Sequence, residues 1–194
     1  MGGQNDLVKI VTGVRRCGKS KLLELFQANL ITKNLATDEQ IISINLEAPV
    51  ETKEIGLALT ENKRLRSYET LLDYVLKRLQ KDKMNYVFID EVQLLENWEQ
   101  VANALRLRNN VDVYLTGSNA YMFLSDLANV FGGRYVEIKM LPYSFAEYCN
   151  VYDSISGLKV PENREDFFKR HDLQTIYTKY ITESGFPQTG QYYL

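Results

Sequence analysis

Short apolar runs rich in Val and Ile recur along the chain at residues 7–12, 40–46, 86–90, 111–116 and 135–141, each of strand length. Between them, residues 19–30 carry an apolar stripe at Leu22, Leu23, Leu25 and Phe26, and residues 67–79 carry one at Leu71, Leu72, Val75, Leu76 and Leu79, which is helical spacing. Five strands alternating with helices imply an α/β fold with a parallel sheet covered on both faces. Asn97 followed by Gln100 reads as a capping pair opening a helix through Leu107, with Trp98 packing at its first turn. Residues 49–66 mix charges with weak periodicity and read as a loop around a short helix.

After Leu141 the pattern changes. Pro142 is expected to start a helix running to about Cys149, followed by a polar stretch with Ser154, Gly157 and Pro161 and two further helical segments. The expected organisation is a core over residues 1–141 and, over residues 142–194, a helical lid or the start of a truncated C-terminal region, the chain stopping partway through a longer protein.

Composition narrows the class without naming an activity. The 194 residues are 45% hydrophobic and 25% charged, with 23 basic against 25 acidic side chains and a net charge of −2, so no whole-molecule field draws the chain to nucleic acid. No apolar stretch approaches a membrane span, and the N-terminus lacks the regions of a signal peptide. Cys17 and Cys149 have no metal-ligand spacing and form no disulfide framework, which suits a reducing, cytoplasmic setting.

The octapeptide Gly13 to Ser20, G-V-R-R-C-G-K-S, lies between the first strand and the first helix. Two glycines let backbone N–H groups turn inward on an anionic phosphate chain, and the helix N-terminus adds donors and a favourable dipole. The expected cradle comprises Gly13, Val14, Arg15, Arg16, Cys17, Gly18, Lys19, Ser20 and Lys21. Lys19 supplies a point charge, and Ser20 places a hydroxyl on a magnesium ion shared with the phosphates. Arg15 and Arg16 read more simply as solvated loop cations.

The third strand ends in Asp90 and Glu91, and in a parallel sheet that end lies beside the phosphate loop. Asp90 is placed to hold the magnesium shell and Glu91 to polarise a water for attack on a γ-phosphate. Thr116-Gly117-Ser118-Asn119 ends the fourth strand, where Ser118 or Asn119 can reach between the γ-phosphate and the acidic pair, the alternative being a plain turn and helix cap. Asn45 ends the second strand and could hold the Glu91 carboxylate away from water, the alternative being an Asn that simply finishes a strand. Arg134, after Gly132 and Gly133, can project toward a neighbour's γ-phosphate, against the alternatives of a strand-start ion pair or a phosphate contact within the same chain. His171, the only histidine, reads as a surface residue of a helical tail.

With G-V-R-R-C-G-K-S, Y-V-F-I-D-E-V-Q, L-T-G-S-N-A and G-G-R-Y-V-E-I-K-M-L-P-Y-S-F-A-E-Y in this order, the chain resembles an archaeal and bacterial AAA-type ATPase family whose members usually carry a C-terminal domain of unknown function. The resemblance covers roughly residues 7–148 and extends through Gly185-Phe186-Pro187. It implies a P-loop NTPase three-layer sandwich of the AAA+ type with sheet order 5-1-4-3-2, a small helical lid, and ATP as the nucleotide. It also implies Lys19 and Ser20 as Walker A, Asp90 and Glu91 as Walker B, Ser118 or Asn119 as the first sensor, and Arg134 as a finger into a homo-oligomeric neighbour. The expected function is magnesium-dependent ATP binding and hydrolysis coupled to conformational change. The alternative is a nucleotide-gated module that binds DNA or a protein partner with negligible hydrolysis.

Overall fold

The computed structural model describes residues 6–60, 64–118, 131–156, 158 and 164–183. Asn119 and residues 185–187 lie outside the described residues. The chain divides into two compact units, Met1–Gly13 with Lys19–Lys139, and Val14–Gly18 with Met140–Leu194.

The first unit is built on the strands β1 (Val8–Gly13), β2 (Ile41–Asn45), β5 (Asn85–Asp90), β6 (Val111–Gly117) and β7 (Tyr135–Met140). Their order in the sheet is β2-β5-β6-β1-β7, so the five strands counted in chain order run 5-1-4-3-2 from the β7 edge. The pairs β2–β5, β5–β6 and β6–β1 are parallel. Alternate residues of these strands face two different apolar layers, as the pleat requires. Val8, Ile10, Ile42, Ile44, Val87, Ile89, Val113 and Leu115 share a core with Leu71 and Val75 of α3 (Tyr68–Leu76) and with Val101, Ala102 and Leu105 of α4 (Trp98–Arg106). On the other face, Phe88 stacks on Tyr114 at 4.8 Å between ring centres, and Phe26 of α1 (Lys19–Thr32) closes on Tyr114 at 5.1 Å. Helix, sheet and helix thus form three layers, and the both-sided burial explains why these strands read as apolar runs.

The stretch of weak periodicity contains more order than its sequence suggests. Pro49 opens α2 (Pro49–Ile55) at a position where its missing N–H costs nothing, and Gly56 closes it with a φ of 89°. A short antiparallel ladder then pairs β3 (Ala58–Leu59) with β4 (Leu65–Arg66). Asn97 does precede α4, but its φ is 56° and its side chain makes no capping bond. Instead its carbonyl accepts from the Gln100 N–H at 3.0 Å, which corrects the expected side-chain cap. Trp98 packs against the core, 6.1 Å from the Phe131 ring.

The helices of the second unit are α5 (Phe145–Ile155), α6 (Arg164–Arg170) and α7 (Leu173–Glu183). The helix expected from Pro142 begins three residues later and runs past Cys149, because Ser144 and Glu147 form a capping box that fixes its start. Tyr148, Tyr152, Phe167 and Ile176 form a separate small core. His171 is not a surface residue: its Nε2 lies 2.6 Å from Oδ1 of the buried Asp153.

Two carboxylates start these helices. The Ser144 hydroxyl, then the Ser144 backbone, holds Glu147 below its ordinary value. The Thr175 hydroxyl, then the N–H groups of Thr175 and Gln174, does the same for Asp172. Both folded values are depressed, so their stabilisation is complete above roughly pH 5 and disappears as pH falls below about 4. Helicity is therefore expected to be flat from neutral to mildly acidic pH and to drop at stronger acidity. Circular dichroism of the double variant Glu147→Gln, Asp172→Asn should show a shallower acid limb than wild type, and identical acid limbs would refute the assignment.

Candidate functional site

Parallel strands end together, and the carboxyl ends of β1, β5 and β6 bring Gly13, Asp90 and Gly117 to one edge of the sheet. The loop Val14–Gly18 joins β1 to α1. Gly18 has a φ of 101° and Arg16 a φ of 69°, left-handed conformations that favour glycine and are strained for arginine. The Cys17 N–H donates to the Val14 carbonyl at 3.3 Å, and the Cys17 side chain is buried. Val14, Arg15 and Arg16 are exposed.

Lys19, the first residue of α1, is only 4% exposed. Its Nζ donates to the Gly13 carbonyl at 3.2 Å and lies 3.8 Å from Glu91 Oε1. A buried ammonium is costly without oxygen partners, and the Gly13 carbonyl and the Glu91 carboxylate supply them here. Ser20 Oγ donates to Asp90 Oδ2 at 2.6 Å. The Lys21 ammonium instead pairs with Glu24 on the exposed face of α1, so Lys21 contributes its backbone to the helix start and its side chain to the surface.

Thr116 ties the carboxylates to β6. Its hydroxyl donates to Asp90 Oδ1 and accepts from the Glu91 N–H, the latter at 2.9 Å. Thr116 is fully buried, and it lies one strand over from the acidic tip. Glu91 has a φ of 55°, a conformation costing of order 1–3 kcal/mol in a residue with a side chain. The chain leaves β5 through this turn into a 3-10 segment, Val92–Leu94. Gln93 there donates through Nε2 to Glu91 Oε2 and to Ser118 Oγ, the second at 3.1 Å. Thr116 and Gln93 were not singled out in the sequence. The signal that finds Thr116 is its place at the end of the strand beside β5, and the signal for Gln93 is its spacing two residues after Glu91.

Asn45 does not hold Glu91. Its position pairs in register with Asp90, one residue short, and its Oδ1 accepts from the Glu47 N–H at 2.9 Å. The contacts of the Glu91 carboxylate go to Lys19 and Gln93. Arg134 is exposed and sits at the opposite end of the sheet: its carbonyl accepts from the N–H of Val8, the first residue of β1, at 3.2 Å. Five residue-to-residue steps along β1 separate Val8 from Gly13, about 16 Å at 3.3 Å per step.

The oxygens of Ser20 and Asp90 suit a hard cation such as magnesium, which typically takes one or two protein oxygens and completes its shell with water and phosphate. Among the described residues no group of three or more His, Cys, Asp or Glu side chains is arranged to hold a metal by itself. No helix among them is long and apolar enough to cross a membrane.

The family model described as AAA domain matches residues 5–149. An uncharacterized protein of Haemophilus influenzae is 32% identical over 182 residues, covering 94% of this chain and 40% of the relative. An uncharacterized protein of Methanocaldococcus jannaschii is 24% identical over 186 residues, covering 93% of this chain and 36% of the relative. The chain thus spans about two fifths of the length of these curated relatives. Among solved structures, Caenorhabditis elegans PCH-2 superposes with a TM-score of 0.53 at 18% identity, over 78% of this chain and 39% of that one, a likeness of fold. With a family model matched over well more than half of its length, the chain belongs to the AAA domain family.

Proposed function

We propose that this protein binds ATP with magnesium and hydrolyses it, coupling the nucleotide state to conformational change. The observation that carries this reading is the convergence of the Lys19 ammonium, the Ser20 hydroxyl and the Asp90–Glu91 pair at the carboxyl edge of a parallel sheet. Backbone amides at the start of α1 receive the phosphates. Lys19 exchanges its protein oxygens for phosphate oxygens. Ser20 and Asp90 hold magnesium, which when bound neutralises charge on the β- and γ-phosphates. Glu91 orients a water and accepts its proton. Thr116 fixes the Asp90 carboxylate and the Glu91 backbone, and Ser118, with Asn119 as the alternative, senses the γ-phosphate. The adjacent carboxylates favour water over a small alcohol as the phosphoryl acceptor.

Lys19→Met tests the binding half. Losing one charge-assisted contact of roughly 1.5–3 kcal/mol weakens ATP binding by about tenfold to a hundredfold, measured by calorimetry in magnesium. Chelation of magnesium is expected to weaken wild-type binding as well. Unchanged affinity in Lys19→Met would overturn the assignment.

A further inference from the structure

β2 is an outermost strand of the sheet, with β5 on its inner side. The Leu46 N–H, just past the end of β2, donates to the Asp90 carbonyl at 3.2 Å. Backbone groups alternate in direction along a strand, so Ile42 and Ile44 turn theirs to β5, and Ile41, Ser43 and Asn45 turn theirs outward. The chain closes both ends of that outer edge itself. The Ile41 N–H donates to the Asp38 carbonyl. The Asn45 N–H donates to Glu51 Oε2 at 2.8 Å, and the Asn45 carbonyl accepts from the Ala48 N–H at 3.1 Å. Three groups remain in the middle: the Ile41 carbonyl and both the N–H and the carbonyl of Ser43, an exposed residue. A strand laid against them in either direction makes three backbone bonds.

A cavity of about 450 Å³ adjoins this gap, with Ile41, Ile42 and Ser43 on one side and Tyr74, Lys77 and Arg78, from the end of α3, on the other. The Arg78 guanidinium lies over the Tyr74 ring, 3.4 Å from its centre, and donates to the Tyr74 carbonyl at 3.1 Å. That contact orients the group and leaves further N–H donors of its fork for an acceptor. Lys77 pairs with Asp73 at 2.5 Å on the exposed helix surface, and an exposed pair of this kind is weak enough to be shared. Glu39 also lines the cavity. The Thr37 hydroxyl, then the Glu39 backbone, holds its carboxyl below the ordinary value, with the Lys83 charge assisting. Glu39 is thus already compensated, and the charge left for a ligand is positive.

We propose that the β2 edge binds an extended, acidic segment of a partner protein, which joins the sheet as one more strand. The segment's backbone bonds to Ile41 and Ser43. Its side chain opposite Ile42 falls on the α3 side of the sheet, because Ile42 packs with Leu71 and Val75 of that helix. A carboxylate at that position meets Arg78 and Lys77. None of these side chains belongs to the ATP site proposed above, so either assignment can fail without the other.

The test titrates the full, isotopically labelled chain with a short capped peptide that alternates valine and glutamate. The Ser43 amide signal is expected to shift to saturation and its hydrogen exchange to slow. The same peptide methylated at its backbone nitrogens is expected not to bind. Lys77→Glu combined with Arg78→Glu is expected to weaken the glutamate peptide about tenfold and to admit a peptide alternating valine and lysine. Both side chains are exposed, so the melting temperature is expected to hold. Ser43→Pro removes the outward N–H at an edge position where proline is tolerated, and is expected to weaken the same peptide. Absence of a saturable shift at Ser43, equal affinity for the glutamate and lysine peptides, or binding of the methylated peptide would overturn the proposal. Protection of Ser43 that grows with protein concentration alone would assign the edge to a second copy of the chain and overturn it as well.

Discussion

Glu91→Gln is expected to reduce ATP turnover by a factor of about 10² to 10³, the usual contribution of a positioned general base, while ATP still binds. The amide keeps the shape of the carboxylate but cannot accept the proton of an attacking water. Binding should persist or tighten, because the substitution also removes the carboxylate that faces Lys19 Nζ at 3.8 Å, leaving the ammonium to phosphate. Phosphate release and ATP affinity measured on the same preparation check both halves. Equal phosphate release before and after substitution would remove Glu91 from catalysis. Tight ATP binding by a wild-type protein that releases no phosphate would identify instead a binding module switched by occupancy.

The strands were legible because each central strand of a parallel sheet is buried on both faces. Val87 to Ile89 and Val113 to Leu115 alternate between two apolar layers and so read as unbroken runs. The phosphate-loop pattern was legible for a similar local reason, since two glycines, a lysine and a serine must sit at fixed separations along one turn. What escaped were relations between separate segments. The partner of Glu91 depends on its left-handed backbone at a φ of 55°, which turns the chain so that Gln93 meets the carboxylate. Strand adjacency alone pointed to Asn45, and register places that residue opposite Asp90. The Asp153–His171 contact joins residues 18 positions apart on either side of a polar connection, with no periodicity to announce it. The start of α5 was misplaced because Pro142 is a common first helical residue, while the reciprocal bonds of Ser144 and Glu147 fix the actual start.

Arg134 bears on whether the site is complete within one chain. Its backbone lies beside Val8, about 16 Å along the strand from Gly13, a span beyond the reach of an arginine side chain. On the proposed phosphate site that span disfavours a contact within the same chain, and the two readings to separate are a finger into a neighbouring copy and an ion pair at the strand start. An arginine supplied in the first way contributes a factor of about 10³ or more to phosphoryl transfer. Arg134→Ala is accordingly expected to lower turnover by about that factor, with ATP affinity close to wild type and the wild-type rate per subunit rising with protein concentration. Mixing provides the decisive measurement. Arg134→Ala and Glu91→Gln subunits are each expected to be nearly inactive alone, whereas a mixed assembly would contain interfaces at which an intact Glu91 faces an intact Arg134. Recovery of phosphate release on mixing establishes completion in trans, whereas two inactive proteins that stay inactive together, or an Arg134→Ala protein with normal turnover, would assign Arg134 to the surface of the strand start.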